Sequence, residues 1–187
     1  MQGKLFIVSG PSGSGKSTIT KIVRDKLNIP LSISATSRKP RVGEIDGVDY
    51  YFVTKEEFEK KIERNEFFEY ANVHGNYYGT LISVVEKELS KGNNIILEID
   101  VQGAVIAKQK YSDIVLIFCK VADDEILEKR LRDRKTDSNE VIEKRLINAK
   151  KELEYEKYYD YTIINDDLEE SINMLEKIIK GEYNEKK

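Results

Sequence analysis

The chain has 187 residues, of which 40% are hydrophobic and 35% are charged, and its formal net charge at pH 7 is −3. This length and composition predict one domain with a packed core, and the nearly balanced charges argue against a nucleic-acid partner. Apolar runs of about five residues are too short to cross a bilayer, and the single cysteine excludes an internal disulfide. We therefore expect a cytoplasmic protein with no membrane partner; the sequence does not define an oligomeric state.

The first predicted strand leads directly into a glycine-rich loop. Residues 4–8 form an apolar run, and Gly10-Pro11-Ser12-Gly13-Ser14-Gly15-Lys16-Ser17 then fits the pattern G-x-x-x-x-G-K-[ST]. Apolar positions between 19 and 27 recur with helical spacing. Strand, loop and helix are the arrangement that a phosphate site needs, because free backbone N–H groups at a helix N-terminus bind anions. The alternative is an ordinary Gly/Ser turn.

The residues of this loop have distinct predicted roles. The backbone from Gly10 to Thr18 would surround the phosphate oxygens, since glycine allows the closest approach. Lys16 would place a positive charge on the β- and γ-phosphates, and the Ser17 hydroxyl would bind Mg²⁺. The loop therefore predicts nucleoside triphosphate binding, but it does not identify an acceptor.

Residues 34–80 predict a small β-rich insertion. The segments 49–53 and 67–73 are aromatic-rich and read as strands. Between them, Thr54 and Glu57 have the spacing of a capping box at the start of a helix. His74-Gly75-Asn76 is typical of a turn, so we expect the single histidine at the surface rather than in a metal site.

Two arginines stand in the insertion within Arg38-Lys39-Pro40-Arg41. Arginine binds phosphate through two hydrogen bonds at once, which lysine cannot do. Tyr50 and Tyr78 could each donate a further hydrogen bond to the same anion. The alternatives are a solvated basic turn for the arginines and half-buried packing for the tyrosines.

Three further apolar runs predict buried strands at 95–99, 114–118 and 161–164. Because helical patterns alternate with these strands, we expect an α/β fold with a parallel sheet flanked by helices. Cys119 ends one of the runs and is expected to be a buried structural thiol. The last helix is expected to end at Gly181.

The acids at 98 and 100 lie at the end of the first of these strands, 95–99. Asp100 resembles the aspartate that holds Mg²⁺, directly or through water, in phosphate-loop enzymes. Glu98 lies two residues earlier, and alternation along a strand places both side chains on the same face. The alternative is that strand ends often carry acids without any such role.

Residues 123–156 predict a polar, charged helical pair that could act as a mobile lid. Its cations include Arg130, Arg132, Arg134, Lys135 and Arg145. A second helix is expected to begin near Asp137.

Together these features resemble the guanylate kinase family of phosphate-loop (P-loop) nucleoside monophosphate kinases. The most specific matching segment is 34–44, Ser-Ala-Thr-Ser-Arg-Lys-Pro-Arg-Val-Gly-Glu, and it is followed by matching segments at 47–53, 76–80, 98–103 and 165–168. The resemblance implies ATP + GMP ⇌ ADP + GDP with Mg²⁺ as cofactor, with dGMP as a further acceptor. It also implies a single domain with its core at 1–33, 81–122 and 157–187, a GMP-binding insertion at 34–80 and a lid at about 123–156.

The resemblance implies roles for the acceptor-side residues. The GMP phosphate is held by Arg38, Arg41, Tyr50 and Tyr78. Guanine is read by Ser34, Glu69 and Thr80, with Gly79 beside them. Glu98 and Asp100 line the junction of the two sites.

The donor side follows in the same way. ATP is bound by Gly10, Pro11, Ser12, Gly13, Ser14, Gly15, Lys16, Ser17 and Thr18. Arg134 and Arg145 reach its phosphates from the lid, with Arg130 as an alternative, and Asn165 and Asp166 lie near adenine. Lys16, Arg38, Arg41, Arg134 and Arg145 are the implied catalytic residues, and Ser17 and Asp100 hold the metal.

The sequence departs from the family pattern around Arg134, where Asp133 and Lys135 stand in place of the usual glycines. Three other functions stay open at this point. A related phosphate-loop kinase could act on AMP, UMP or a sugar acid, a guanylate-kinase-like scaffold could bind a protein, and a regulatory GTPase would share the loop.

Overall fold

The computed structural model of the chain describes residues 3–73, 75–133 and 138–183. In chain order its elements are β1 (Leu5–Ser9), α1 (Lys16–Lys26), β2 (Ala35–Thr36), β3 (Tyr51–Phe52), α2 (Lys55–Glu63), β4 (Phe67–Val73), β5 (Asn76–Leu81), α3 (Ile82–Ser90), β6 (Ile95–Glu98), α4 (Val101–Lys110), β7 (Val115–Lys120), α5 (Asp124–Asp133), α6 (Asn139–Leu153), a 3₁₀ turn (Glu156–Tyr158), β8 (Tyr161–Ile164) and α7 (Leu168–Lys180). They belong to two compact units, one of 5–29 with 96–187 and one of 1–4 with 30–95.

The larger unit is built on a sheet with the strand order β6-β1-β7-β8. β1 pairs with β7 in parallel, with Phe6 opposite Val115, and β7 pairs with β8 in parallel, with Ile117 opposite Tyr161. All five residues of β1 are buried. This placement accounts for the apolar residues from Leu5 to Val8, because a strand covered on both faces has no polar side; the last residue of the strand, Ser9, is buried as well.

The main core of this unit packs the sheet against α1 and α7. Val8 and Cys119 come from the strands, Val23 from α1 and Leu175 from α7, and all four side chains are fully buried. Cys119 is therefore a structural thiol as predicted, and burial raises its pKa to about 11.

A separate, smaller core joins α5 to α6. Leu127 and Leu131 of α5 pack with Ile142 and Ala149 of α6 and with Val121. The helical pair over 123–156, which looked polar from its composition, thus has an apolar seam of its own. Such a seam can hold the two helices together as a unit.

The smaller unit contains the sheet β3-β2-β5-β4, in which β5 runs antiparallel to both β2 and β4. Helix α2 begins at the predicted capping box, with the Thr54 hydroxyl and the Glu57 carboxylate each accepting the other's backbone N–H. Its Phe58 is fully buried and stacks on Phe67 at 4.2 Å and on Tyr77 at 5.1 Å between ring centroids.

The predicted α/β fold with a parallel sheet is confirmed, and all four predicted core strands are present. Several boundaries differ. β1 covers Leu5–Ser9 rather than the apolar run 4–8, and β7 covers Val115–Lys120 rather than 114–118. β3 covers only Tyr51–Phe52 of the predicted 49–53, β6 ends at Glu98 rather than at 99, and α6 is capped by Ser138 rather than by Asp137, which lies outside the described residues. His74 also lies outside them. In the described ranges, no helix has the length and apolar character needed to cross a bilayer.

The charge cluster between α1 and α7 makes a test of acid stability possible. Glu176 accepts from Lys180 at 2.6 Å and from Lys26 at 2.7 Å, and these bonds lower its pKa to about 2. A lowered pKa stabilises the fold above the unfolded-state value near 4.3, and this contribution is lost as the pH falls towards 2. We expect Glu176→Gln to lower the urea midpoint at pH 7, and the difference from the wild type to shrink below pH 4.5.

Exposed Glu143, on α6, provides the control. Glu143→Gln should show no comparable change in its difference from the wild type over the same pH range. A Glu176→Gln deficit that stayed constant from pH 7 to pH 3 would contradict the proposed ionic origin.

Candidate active site

The glycine-rich loop connects β1 to α1, and its glycines have positive φ angles, which residues with a Cβ atom rarely adopt. Gly15 caps α1 with φ of 86°, and a Cβ there would stand 2.2 Å from the Asn165 amide nitrogen. Gly10 has φ of 144°, and its Cβ would meet the Cys119 carbonyl oxygen at 1.9 Å. Both glycines are therefore required by positive φ and by close approach. The loop ends on the free N–H groups at the start of α1, which favours anions.

Three side chains hydrogen-bond to one carbonyl group of the loop, that of Ser14. The Ser14 carbonyl oxygen accepts from the Asn165 amide at 2.7 Å, from Arg130 Nη1 at 3.4 Å and from the Cys119 thiol at 3.7 Å. Arg130 also donates to the Asn165 carbonyl at 2.8 Å. These contacts fix the orientation of the Ser14 peptide.

Lys16 and Arg145 both contact the loop itself. Lys16 Nζ donates to the Pro11 carbonyl at 3.3 Å, and Arg145 Nη1 donates to Ser12 Oγ at 3.1 Å. Arg145 of α6 is thus beside the loop, as its predicted role requires. Arg134 lies outside the described residues. Thr18 is exposed in the first turn of α1, where its N–H donates to the Gly15 carbonyl.

The two residues expected near adenine have different surroundings. Asn165 is only 4% exposed, and its amide is used by the Ser14 carbonyl. Asp166 is exposed and accepts the Ala122 N–H at 3.1 Å. Of the two, Asp166 has the more accessible side chain, and Asn165 supports the loop.

Ser17 and Glu98 form an oxygen-rich group at the start of α1. Ser17 Oγ donates to Glu98 Oε2 at 2.5 Å, and Thr20 Oγ1 lies 2.7 Å from Glu98 Oε1. Hydroxyl and carboxylate oxygens are the ligands that Mg²⁺ prefers, and Mg²⁺ keeps several waters when it binds beside phosphates. The donor set therefore fits the implied cation. Within the described residues, no group of three or more His, Cys, Asp or Glu side chains forms a metal site from protein alone.

Asp100 caps a helix rather than ending a strand. Its Oδ1 accepts the N–H groups of Gln102 at 2.9 Å and Gly103 at 3.2 Å, at the start of α4. Glu98 and Asp100 are both exposed with buried Ile99 between them, so the predicted alternation holds although β6 has ended. Neither of these two hydrogen bonds uses the second carboxylate oxygen of Asp100, Oδ2.

Sequence reasoning missed two residues near the loop. Thr20 follows Ser17 by one helical turn, and that spacing could have placed it on the same face. Glu152 is half-buried on α6, and burial raises its pKa, with Lys16 opposing the shift and Asp100 adding to it. No pattern in the sequence indicated Glu152.

In the smaller unit, Arg38, Tyr50 and Tyr78 lie together. The Arg38 guanidinium stands 5.6 Å from the centre of the Tyr50 ring, and the Tyr50 and Tyr78 rings meet edge-on at 5.9 Å. Arg41 lies three residues along the same loop, and its side chain is exposed. Glu44, to which no role had been given, pairs with Arg38 at 2.8 Å.

Ser34, Thr80 and Glu69 form one row across the second sheet. Thr80 is opposite Glu69 in the β4–β5 ladder and donates to its Oε1 at 2.9 Å. Ser34 directly precedes β2, where the β2–β5 register places Ala35 opposite Gly79 and so brings Ser34 towards Thr80. The three predicted base-reading residues are therefore neighbours.

A bulge brings Glu69 into this row. The ladder pairs Phe67 with Leu81 but Glu69 with Thr80, so Phe68 is an extra residue in β4. Regular alternation would have put Glu69 on the same face as Phe67, which packs into the aromatic core. The bulge re-aims the carboxylate to the opposite face.

Gly79 serves the packing of the same sheet. A Cβ there would lie 2.8 Å from the Glu69 carbonyl oxygen and 2.9 Å from both Phe67 and Tyr70 side-chain atoms. The missing side chain thus leaves room for two aromatic residues beside the row.

Comparisons with known proteins agree with this fold. The guanylate kinase family model matches residues 2–182. A guanylate kinase of Fusobacterium nucleatum is 61% identical over 179 residues, covering 96% of this chain and 97% of that protein. One of Helicobacter pylori strain 26695 is 50% identical over 177 residues, covering 94% and 86%. A crystal structure of the Anaplasma phagocytophilum guanylate kinase superposes with a TM-score of 0.71 at 32% identity, covering 98% and 88%.

The parallel sheet and the glycine loop at the start of α1 define an α/β protein of the phosphate-loop kinase class. Within that class, the chain belongs to the guanylate kinase family.

The Gly15 position tests whether the loop conformation is required. We expect Gly15→Ala to weaken nucleoside triphosphate binding at least about 10-fold, because positive φ and the contact with Asn165 both force the loop to move. Isothermal titration calorimetry of each variant would measure the affinity. Gly181→Ala is a matched control, since Gly181 has φ of 75° but nothing within 4 Å of its Cβ position. Equal affinities for both variants would contradict the assignment.

Proposed function

We propose that the protein transfers the γ-phosphoryl group of ATP to GMP, and also to dGMP, giving ADP and GDP. The observation that carries this proposal is the row of Ser34, Thr80 and Glu69 in a chain of the guanylate kinase family with a complete phosphate loop. These substrates belong to purine nucleotide metabolism inside the cell, and we therefore expect the enzyme in the cytoplasm.

The donor nucleotide is assigned to the glycine loop. Its backbone N–H groups and the N-terminus of α1 would bind the phosphates of ATP, and Lys16 would neutralise charge on the transferred group. Arg145 already contacts the loop at Ser12, and Arg134 of the same region is proposed to join it. Asp166 is the candidate neighbour of adenine.

Mg²⁺ is the proposed cofactor, and Ser17 and Asp100 are the residues proposed to hold it, directly or through water. When bound, the cation would supply charge neutralisation between the phosphates. Glu98, which shares a hydrogen bond with Ser17, would orient that hydroxyl.

The acceptor phosphate is assigned to Arg38, Arg41, Tyr50 and Tyr78. Phosphoryl transfer depends on in-line positioning and on offsetting repulsion between two anions, more than on covalent help from the protein. The GMP oxygen is already ionised near neutral pH, so no general base is required. The arginines would therefore neutralise the charge of the nucleophile, and the tyrosines would orient it through neutral hydrogen bonds.

The Glu69 carboxylate gives the proposed base selectivity. Guanine presents N1–H and N2–H₂ side by side, and a carboxylate can accept both. Adenine has an unprotonated N1 at that position, so a lone pair would face the carboxylate. A site built to hydrogen-bond its substrate rejects an analogue that cannot pair by up to about 10⁴-fold.

An acceptor panel tests the function directly. ADP release from ATP would be followed with GMP, dGMP, AMP and UMP, each with and without Mg²⁺. We expect turnover with GMP and dGMP, roughly 10⁴-fold lower kcat/KM with AMP, and strong dependence on Mg²⁺. Comparable rates with AMP or UMP would indicate a different acceptor specificity. No turnover with any acceptor would favour a binding module.

Glu69→Gln tests the base-reading assignment. The amide cannot accept both guanine protons, so we expect kcat/KM for GMP to fall about 10-fold to 100-fold, while the KM for ATP stays unchanged. Glu66→Gln is the control, because Glu66 pairs with Lys61 at 2.8 Å in the same part of the chain. Wild-type GMP kinetics in Glu69→Gln would remove Glu69 from the base site.

A further inference from the structure

Glu44 binds the Arg38 guanidinium through both carboxylate oxygens. Arg38 Nη1 donates to Oε2 at 3.0 Å, and Nη2 donates to Oε1 at 2.8 Å. Nη1 also donates to the Lys39 carbonyl at 2.7 Å. The two side chains are only 15% and 20% exposed, so this ion pair is largely shielded from water. A two-point contact of this kind fixes the plane of the guanidinium as well as its position.

The same carboxylate organises the loop between the two arginines. Glu44 Oε2 accepts the backbone N–H of Arg41 at 2.6 Å, and the Glu44 N–H donates to the Arg41 carbonyl at 3.1 Å. One side chain thus holds the guanidinium of Arg38 and the backbone of Arg41. The exposed Arg41 side chain extends from a fixed point.

Two aromatic rings also lie next to the Arg38 guanidinium. Its guanidinium lies 5.6 Å from the Tyr50 ring centre and 5.8 Å from that of Phe52. Hydrogen bonding to Glu44 raises the pKa of Arg38, and the Arg38 and Arg41 contacts lower the pKa of Glu44. Both partners therefore keep their charges in the neutral range.

On charge alone, Glu44 would oppose binding of a phosphate. Arg38 and Arg41 carry two positive charges, and one carboxylate cancels half of that total. If net charge governed affinity, removal of the carboxylate would tighten GMP binding. If orientation governs it, removal would weaken binding, since a loosened guanidinium must be ordered again for each substrate. The two possibilities predict opposite signs.

We infer that Glu44 is a positioning residue for the acceptor phosphate, an inference that rests on the proposed function. By binding Arg38 and the Arg41 backbone, Glu44 fixes the two arginines that would hydrogen-bond to the GMP phosphate. Glu44 acts through these groups and does not itself contact the anion, because two negative charges would repel.

Glu44→Gln tests this inference with almost no change in shape. The variant removes one negative charge, yet we expect kcat/KM for GMP to fall about 10-fold to 100-fold, carried mainly by a higher KM. The KM for ATP should stay at the wild-type value. Glu88→Gln is the matched control, because Glu88 pairs with Lys91 at 2.5 Å in the same unit. An unchanged or lower KM for GMP would overturn the inference.

Guanosine separates positioning from a general loss of structure. It carries the base without the phosphate, so Glu44→Gln should bind guanosine as the wild type does while GMP binding weakens. Equal weakening for both ligands in calorimetry would instead indicate a loosened fold, and the inference would fail.

A double-mutant cycle tests the route through Arg38. In an Arg38→Ala background, Glu44→Gln should cost several-fold less in GMP affinity than in the wild type. The same cost in both backgrounds would show that Glu44 acts independently of Arg38. A wild-type protein without GMP turnover would refute the proposed function instead, so the two failures are distinguishable.

Discussion

The orientation of the Ser14 peptide is the constraint on which the glycine-rich loop depends. A phosphate loop functions only if its N–H groups face the anion, and a peptide group turns its carbonyl away as it turns its N–H inward. Here the Ser14 carbonyl oxygen accepts hydrogen bonds from the side chains of Asn165, Arg130 and Cys119. Because these partners come from β8, α5 and β7 or directly after them, the core of the larger unit supports the loop.

In the smaller unit, as in the larger one, a packed core supports the polar residues of the site. Its sheet carries the Thr80 hydroxyl beside the Glu69 carboxylate, and a separate loop carries Arg38 beside Glu44. The aromatic core under β4 and β5 provides a rigid base, in which Phe58 stacks between Phe67 and Tyr77. Polar side chains on the other face are thereby held without contributing to the core themselves. The Glu44 carboxylate pairs with Arg38 at 2.8 Å, and a contact through both carboxylate oxygens fixes the plane of the guanidinium.

Much of this could be predicted from local sequence, and the limits have physical causes. The buried strands were predicted well because a parallel strand covered on both faces is mostly apolar, as Leu5 to Val8 of β1 are. The glycine loop was predicted because its backbone demands are local. The bulge at Phe68 could not be predicted, since alternation alone puts Phe67 and Glu69 on one face. Long-range contacts such as Asn165 with Ser14, 151 positions apart, leave no local pattern at all.

Cys119 illustrates a consequence of placing the loop directly on the core. Burial raises the pKa of this thiol to about 11, so the protein carries it as the protonated thiol at pH 7. Oxidants and alkylating reagents attack the thiolate, so this sulfur should be inert in the folded enzyme. Its adduct would also press against the Ser14 carbonyl. Covalent labelling of this cysteine would therefore report unfolding rather than inhibit the native protein.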